Sequence, residues 1–499
     1  MSTPLTTGSA AVTPIEADPR RWAGLAVLAA SLLVVVMDMT ILNVALPELT
    51  ADLRPDAVAQ LWIVDVYALV LAGLLVPLSA LGDRWGRRRM LLAGFTVFGA
   101  ASLLVLVADS PGEVIAVRAL LGVGGAMIMP TTLSLIRTLF PDARERATAL
   151  GIWGAMAAVG GAIGPIVGGA LLEAFSWHAA FLFNVPVMVV AVVAGVLLLP
   201  ESRSERPGRL DAAGVLLSFG GMASFVYGVK HLGKEGLDPL TLATLGLGAV
   251  LLTGFVLRCL RQDDPMLEVR LFTHRPFTAG VLAALTSSIA MVALLLLGSQ
   301  WLQLVHGWSP LQAGAALLPM AVGGIVGSPL APSLAERIGV RTVVAGGLAV
   351  AGVGLLLLFV LPQPLGYLSV AAALTLVGIG TASLAVGSAT IMGSTPADKA
   401  GSAAAIEESS FEIGGVLGVA VLGSLAAWTY RDGLPADATD LARESLAGAL
   451  GTPTAAAATA SFEHSFAVFG LAAGVLLLAV SVLVWWLTPA DLDLADVEH

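Results

Sequence analysis

The sequence predicts an all-α membrane protein of fourteen spanning helices, arranged as two six-helix bundles with two extra helices between them. The first observation is composition: the 499 residues are 57% hydrophobic and only 12% charged, with a mean hydropathy of +0.91, far more apolar than a soluble domain. The second is the number of apolar segments long enough to cross about 30 Å of hydrocarbon. The third is a charged turn that recurs half a chain later.

The apolar segments number fourteen, and an even number places both chain ends on one side of the membrane. Each approaches or exceeds the roughly 20 residues that span a bilayer as a helix. In order, they cover residues 22–47, 59–82, 88–108, 113–137, 146–173, 178–200, 209–230, 238–260, 276–304, 309–335, 340–361, 366–393, 400–429 and 464–487.

The charged turn predicts an internal repeat. It covers Gly82–Arg89 with the sequence GDRWGRRR, and a shorter copy, AERIGVR at Ala335–Arg341, places Glu336 253 residues after Asp83. A second alignment, at an offset of 254, pairs glycines of segments five and thirteen: Gly160 with Gly414, Gly161 with Gly415 and Gly164 with Gly418. These offsets predict two equivalent halves, an arrangement on which many secondary transporters are built.

The repeat divides the chain into two bundles and an inserted pair of helices. Within the second bundle, residues 431–463 form the longest exterior loop, with room for a short helix. The predicted regions are a tail at 1–21, the first bundle at 22–200, segments seven and eight with their flanking loops at 201–275, the second bundle at 276–488 and an acidic tail at 489–499.

Basic residues set the orientation, because loops rich in Lys and Arg stay in the cytoplasm. With the amino terminus inside, 19 of the 25 bases face the cytoplasm and one, Arg118, lies within segment four. The five that face outside are Arg54, Lys230, Lys234, Arg431 and Arg443. We therefore expect a multi-pass protein of the plasma (inner) membrane with both termini in the cytoplasm.

Several function classes find no support in the sequence. The net charge of −10 argues against nucleic-acid binding. The single cysteine, Cys259, supports neither a disulfide framework nor a cysteine metal site. The six histidines are scattered without metal spacing, and no phosphate-binding loop is present. We therefore expect no enzymatic activity, no metal and no bound cofactor.

Two aspartates in the first two segments are candidate functional residues, because charges in hydrocarbon are costly and usually serve ions, protons or substrates. Asp38 lies in segment one near Thr40 and Asn43, and we expect it to bind a proton or a cation. A structural hydrogen bond to a neighbouring helix is the alternative. Asp65 lies a few residues from the outer end of segment two, which favours a water-exposed entrance position, with or without a role in substrate binding.

Segment thirteen carries three glutamates, Glu407, Glu408 and Glu412. On a helix, Glu408 and Glu412 lie about 40° apart on one face, whereas Glu407 is turned by about 140° from Glu412. We expect Glu408 and Glu412 to line a cavity, where they share a proton or face a cation together. The alternative is a hydrated position near the cytoplasmic end, since the segment begins only a few residues earlier. Glu407 stays open as a substrate-binding candidate.

Arg118 is expected to be the only base within the membrane. Because arginine does not release its proton at ordinary pH, its expected task in proton coupling is to bias a nearby carboxylate or to orient water. The alternative is an arginine that snorkels to the outer surface near Glu113. Five carboxylates against one arginine predict a cavity that favours cations, in which protons and substrate compete for the same sites.

Segment five carries two adjacent columns of small residues. Spacing of four residues lets two helix backbones approach closely, and ordinary tight packing leaves the same pattern as a functional motif. One column is Gly160, Gly164 and Gly168, and the other is Gly161, Pro165 and Gly169.

The first charged turn combines a bend with charge. Gly82 and Gly86 permit a tight reversal, and Asp83 can neutralise a helix amino terminus or pair with a base such as Arg137. Such a contact predicts a gating latch between the two halves, with a positive-inside anchor as the alternative. The arginines that hold the turn at the cytoplasmic face are Arg84, Arg87, Arg88 and Arg89.

These motifs together resemble a known family. Gly82–Arg89 resembles the loop motif of the major facilitator superfamily, and Gly160–Gly169 resembles its antiporter motif. Asp38–Pro47, Leu61–Tyr67 and Arg118 with Gly122 are similar to the fourteen-spanner drug:proton antiporters, above all to exporters of quaternary ammonium compounds, dyes and antibiotics. The chain departs from the family pattern at His178 and Ala180, where arginine and a second aromatic are usual.

The resemblance implies the major facilitator fold and a proton-coupled multidrug efflux antiporter that exports lipophilic, cationic drugs by alternating access. The implied partners are small drug-like molecules, protons as the coupling ion and the lipid bilayer, and we expect a monomer. A narrow exporter of one antibiotic or natural product is the main alternative. A proton-coupled importer fits the same fold, and only the segment-five motif favours export.

Overall fold

The chain folds into a bundle of membrane-length helices. The computed structural model describes residues 20–140, 142–203, 211–263, 265, 267–395 and 400–490. Over these residues, thirteen helices are long and apolar enough to span a membrane, and a helix bent by 43° brings the number to fourteen. The predicted number of spanning segments is therefore confirmed. The tails predicted at 1–21 and 489–499 lie almost entirely outside the described residues.

We number the spanning helices α1 to α14 in chain order. The first six are α1 (Arg21–Leu53), α2 (Ala57–Trp85), α3 (Arg87–Leu104), α4 (Pro111–Leu139), α5 (Ala143–Ala174, the bent helix) and α6 (Ala179–Leu198). The next two are α7 (Ala212–Glu235) and α8 (Pro239–Arg261). The last six are α9 (Arg275–Val305), α10 (Pro310–Ala316 and Leu318–Ile338), α11 (Val340–Val360), α12 (Tyr367–Met392), α13 (Ala400–Leu417, continued by Gly418–Gly423 and Ser424–Asp432) and α14 (Ala455–Leu487).

Polar caps and glycines decide where these helices begin and end. Ser110 and Glu113 form a reciprocal capping box at the start of α4. Asp211 caps α7 and also pairs with Arg258 at 2.8 Å, and hydrogen bonds from Arg258 lower the pKa of Asp211 to about 2. Gly86 separates α2 from α3 with a φ of +125°, which side chains rarely adopt.

The start of α14 differs from its predicted position by nine residues. α14 begins at Ala455 rather than near residue 464. Residues 455–463 are rich in alanine, which favours a helix, but Thr459, Ser461 and Glu463 among them lower the hydropathy of the segment. The predicted exterior loop at 431–463 is therefore shorter. It contains two short helices, Asp440–Glu444 and Leu446–Ala449, where the sequence predicted room for one.

The predicted repeat is present in the packing of helix pairs. In α5, Gly160 faces the carbonyl of Leu33 in α1; in α13, Gly414 faces the carbonyl of Leu285 in α9. Both turn glycines, Gly86 and its repeat partner 253 residues later, have positive φ angles of +125° and +85°. The two halves therefore repeat in backbone conformation as well as in sequence.

Each half has its own hydrophobic core. One cluster of buried side chains runs through the first six helices, and a second of similar size runs through the last six. We call the end where α1 meets α2 the α1–α2 end, and the opposite end, at Gly86, the α2–α3 end. The two halves are joined at the α1–α2 end, where Ala57 N–H donates to Glu444 at 2.6 Å and Gln303 donates to the Val44 carbonyl at 3.0 Å.

Candidate transport site

Asp38 is the centre of a buried polar cluster in the first bundle. Its side chain is only 3% exposed, halfway along α1. One carboxylate oxygen accepts a hydrogen bond from Arg118 Nη1 at 2.7 Å, and the other accepts one from Asn184 Nδ2 at 2.6 Å. Charge-assisted hydrogen bonds of this length are strong. Asp38 is therefore held by α4 and α6 at once.

Arg118 reaches Asp38 from α4 and lies inside the bundle. It is 2% exposed, so the alternative of an arginine that snorkels to the outer surface is wrong. Its Nε donates to the carbonyl of Ile63 in α2 at 3.1 Å, and its guanidinium lies 4.6 Å from the centre of the Tyr67 ring. Carboxylate, carbonyl and aromatic face together compensate the charge that burial would otherwise make costly.

Sequence reasoning missed Asn184. It lies at the start of the longer helical part of α6, is 1% exposed, and its amide also contacts Ser102 Oγ at 3.2 Å. The available signal was an amide side chain in an apolar run, two residues before Pro186. A buried amide requires a partner, yet the sequence does not indicate that the partner is Asp38.

The three glutamates of α13 lie in different surroundings. Glu412 is 5% exposed, and its Oε2 has no hydrogen-bond partner in the described structure. Glu408 is half-buried. Glu407 turns toward α12, where its Oε2 accepts a hydrogen bond from Ser388 Oγ at 3.0 Å. An ionised carboxylate that is buried without a partner is costly, so Glu412 differs from the well-paired Asp38.

Tyr67 of α2 lies between the buried pair of the first bundle and the second bundle. Its ring carries Arg118 on one face, and its hydroxyl donates a hydrogen bond to the Val35 carbonyl of α1 at 3.4 Å. α2 also packs directly against α13, the helix that carries Glu412. Asp38 and Arg118 therefore lie on one side of α2, and α13 packs against the same helix.

Asp65 lies elsewhere, and its predicted water-exposed position is wrong. It is 2% exposed and forms an ion pair with Lys230 of α7, with 2.8 Å between Asp65 Oδ2 and Lys230 Nζ. Lys230 is 1% exposed, so the prediction of Arg118 as the only base within the membrane is wrong as well. The error arose because α7 continues to Glu235, five residues beyond the predicted end of its segment. Among the residues that the structure describes, the five candidate carboxylates therefore share the membrane interior with two bases, Arg118 and Lys230.

The two small-residue columns of α5 pack against different partners. In the first column, Gly160 and Gly164 lie against the α1 backbone at Leu33 and Met37, and Gly168 lies against Ile41. In the second column, Gly169 contacts Leu311, and Pro165 contacts Gly314, both in α10 of the second bundle. The first column thus fixes α1, which carries Asp38, and the second contributes to the junction between the bundles.

Asp83, Arg87 and Arg88 of the charged turn make contacts within the first bundle. Asp83 pairs with Arg87 at 2.9 Å rather than with Arg137. Arg87 also donates to Thr138 at the end of α4, at 3.3 Å. Arg88 donates to the carbonyl of Leu199 after α6, at 3.1 Å. In this conformation the turn ties α2 and α3 to α4 and α6.

Comparison with known proteins identifies the family. The family model described as Major Facilitator Superfamily matches residues 28–419. The chain belongs to the Major Facilitator Superfamily. The multidrug efflux pump LfrA of Mycolicibacterium smegmatis is 41% identical over 93% of this chain and 96% of its own length. The methyl viologen resistance protein SmvA of Salmonella typhimurium is 36% identical over 94% of this chain and 98% of its own.

Solved structures confirm the major facilitator fold. A bacterial homologue of the human lysosomal transporter Spinster, in an inward-facing and occupied conformation, matches with a TM-score of 0.70. The match covers 96% of this chain and 98% of the homologue. The sequence identity is 15%, so this likeness bears on the fold alone. As a member of this superfamily, the chain is a multi-pass membrane protein of a family of small-molecule transporters.

Proposed function

We propose that this superfamily member is a proton-coupled multidrug exporter that moves lipophilic cations out of the cell by alternating access. The observation that supports it most is that each bundle contributes a deeply buried acid: Asp38, held by Arg118 and Asn184, in the first, and Glu412, with no hydrogen-bond partner for one oxygen among the described residues, in the second. The relatives named for multidrug efflux and methyl viologen resistance support the same substrate class.

In this mechanism, protons and substrate compete for the same carboxylates. A lipophilic cation arriving from the cytoplasm binds between the bundles and favours the ionised acids. Protons arriving from outside neutralise those acids, and the cation leaves. Arg118 keeps its proton throughout, so it releases Asp38 when Asp38 is neutralised and re-forms the pair when the proton departs.

Charge movement limits the stoichiometry. One elementary charge crossing the membrane is worth about 2.3 kcal/mol per 100 mV. Exchange of one proton for one monovalent cation gains nothing from the potential, whereas two protons per cation use it. Glu407 and Glu408, on the same helix as Glu412, supply further protonation sites for such an exchange.

We place the α2–α3 end and both termini in the cytoplasm, on the strength of the arginine-rich turn at that end. The contacts between bundles at the α1–α2 end then close the outer side, which corresponds to an inward-facing state. The protein acts as a monomer in the plasma membrane, with protons as its coupling ion and no enzymatic activity. No cluster of side chains suited to a metal ion occurs among the described residues.

Purified protein in liposomes tests the proposal. Ethidium and the internal pH are followed together under an imposed pH gradient, with the gradient collapsed by an ionophore as the control. We expect ethidium to move against the proton flow and to stop when the gradient collapses. Ethidium movement that ignores the gradient would exclude antiport. Repeating the assay with methyl viologen and with neutral antibiotics separates a broad exporter from a narrow one.

A further inference from the structure

The inserted helix α7 lies on the seam between the two bundles. One face packs on α2 of the first bundle and another on α13 of the second. A small apolar cluster joins all three, with Leu69 from α2, Val226 from α7, and Val416 and Ala420 from α13 at its centre. α7 is thus part of the boundary along which the bundles must move.

The contact of α7 with α2 contains a buried ion pair. Lys230 Nζ lies 2.8 Å from Asp65 Oδ2, with both side chains almost completely buried. The same ammonium lies 4.1 Å from the centre of the Trp62 ring. A charge in such surroundings keeps its partner, because separation would leave two uncompensated charges away from water. Farther along, Gly73 of α2 admits the ring of Phe219 against its backbone.

The contact of α7 with α13 is of another kind. Arg431 donates a hydrogen bond to the backbone carbonyl of Gly233, and Gly233 packs on Ser424. The acceptor is a neutral carbonyl, and Arg431 is only partly buried. An arginine near the helix end can exchange such an acceptor for water, whereas Lys230 has no water to exchange for Asp65.

We propose that Lys230 is a positioning residue of the transport cycle: it fastens α7 to α2, so that α7 moves with the first bundle while its contact with α13 breaks and re-forms. This inference rests on the proposed alternating access, in which the α1–α2 end must open to release substrate. The inserted pair then acts as a seal that travels with one bundle. Asp65 serves this fastening and is withdrawn from the acids that bind protons and drug.

Two matched cross-links test which contact breaks. Both are built in a Cys259→Ser background, which removes the single native thiol. The first pair, Gly73→Cys with Phe219→Cys, joins α7 to α2; the second, Gly233→Cys with Ser424→Cys, joins α7 to α13. Each pair replaces one glycine and the side chain that contacts it. Transport of ethidium in liposomes is measured after oxidation and again after reduction.

We expect the α7–α2 cross-link to leave most of the transport intact and the α7–α13 cross-link to reduce it by about tenfold or more, because the second would block a motion on which the cycle depends. Reduction should restore the second protein. Loss of transport with the first cross-link, or full transport with both, would overturn the inference. Reduced proteins that never couple ethidium to protons would count against the proposed function instead.

A readout independent of transport tests the role of Lys230 itself. The rate of cross-linking is compared in Lys230→Met and Lys230→Arg versions of both cysteine pairs. Lys230→Met should slow the α7–α2 cross-link several-fold and leave the α7–α13 cross-link unchanged, and Lys230→Arg should restore the first rate. Equal changes in both rates would mean that Lys230 supports the fold in general, and no change in either would mean that it fastens nothing; either result would overturn the inference.

Discussion

The two bundles share a scaffold but differ in the charges that they carry. Gly160 and Gly414 pack on α1 and α9 in the same way, at carbonyls of Leu33 and Leu285. The position in α9 that corresponds to Asp38 is Ala290, which is buried and apolar. Conversely, the position in α5 that corresponds to Glu412 is an alanine. The two halves thus share their backbone contacts but do not share the buried acids.

The acids also differ in how they are compensated. Asp38 in the first bundle has a base and an amide as partners. Gly122 of α4 packs on Tyr67 as Gly378 of α12 packs on Met320, so the position that corresponds to Arg118 in the second bundle is the buried, apolar Leu374. Glu412 consequently has no base of its own in α12. A buried acid that is paired with a base can stay ionised, whereas burial without a base favours the protonated form. The comparison suggests that protonation of Asp38 also breaks its pair with Arg118, whereas protonation of Glu412 breaks no such pair.

Replacement of Asp38 by asparagine should have the largest effect. Asp38→Asn removes the charge that Arg118 faces while keeping the shape, so we expect proton-coupled transport to be abolished with little loss of folded protein. The measurement is ethidium efflux with internal pH in liposomes, with Glu48→Gln on the same helix as the control. Coupling that survives in Asp38→Asn would mean that the first bundle's acid is structural.

Glu412→Gln tests the other side of the comparison. We expect transport at neutral pH to fall by about tenfold, equivalent to about 1.4 kcal/mol of lost proton or cation binding, and its dependence on pH to flatten. Glu407→Gln should have a smaller effect, because Glu407 already has Ser388 as a partner. If Glu407→Gln proves the more damaging of the two, the titrating acid has been assigned to the wrong face of α13.

Because the two bundles share their glycine contacts, equivalent glycine substitutions should destabilise both equally. Gly160→Val and Gly414→Val each force a side chain against a neighbouring backbone, and overpacking of this kind costs about 1–3 kcal/mol. Thermal unfolding in detergent should show similar losses for both. Gly161→Ala is the control, since its Cβ would lie 3.9 Å from the nearest atom of Val36. A large difference between the two valine variants would contradict equivalent packing.

Substitutions of the acids in the two charged turns should have the smallest effects on stability and transport. Asp83→Asn removes a partly exposed ion pair with Arg87, four residues away across Gly86, worth about 0.2–1 kcal/mol. We expect a slight loss of stability and a reduction of transport of a few-fold at most, because the turn ties α2 and α3 to α4. Glu336→Gln at the second turn should leave transport unchanged. Equal losses of transport in the two variants would show that gating is symmetric.

Sequence patterns predicted the fold more completely than the site. The number of spanning helices follows from the length of the apolar segments, and the repeat follows from the charged turns and the glycine spacing. These patterns can be read from residues that are close together in the chain. The acids of the site were recognisable because a charge in an apolar run is rare. Their partners were not: Asn184 is one amide in an apolar run, and Lys230 was assigned to an exterior loop because it ends an apolar segment.

The sequence by itself determined that this chain spans a membrane many times, in two related halves, with acids where hydrocarbon should be. It did so because segment length, helical periodicity and the cost of buried charge depend on residues close together in the chain. Only the tertiary structure decided that Arg118 pairs with Asp38, 80 residues away, and that Lys230 pairs with Asp65. The partner of a buried charge depends on which helices become neighbours in the fold, and a local sequence pattern does not indicate which helices those are.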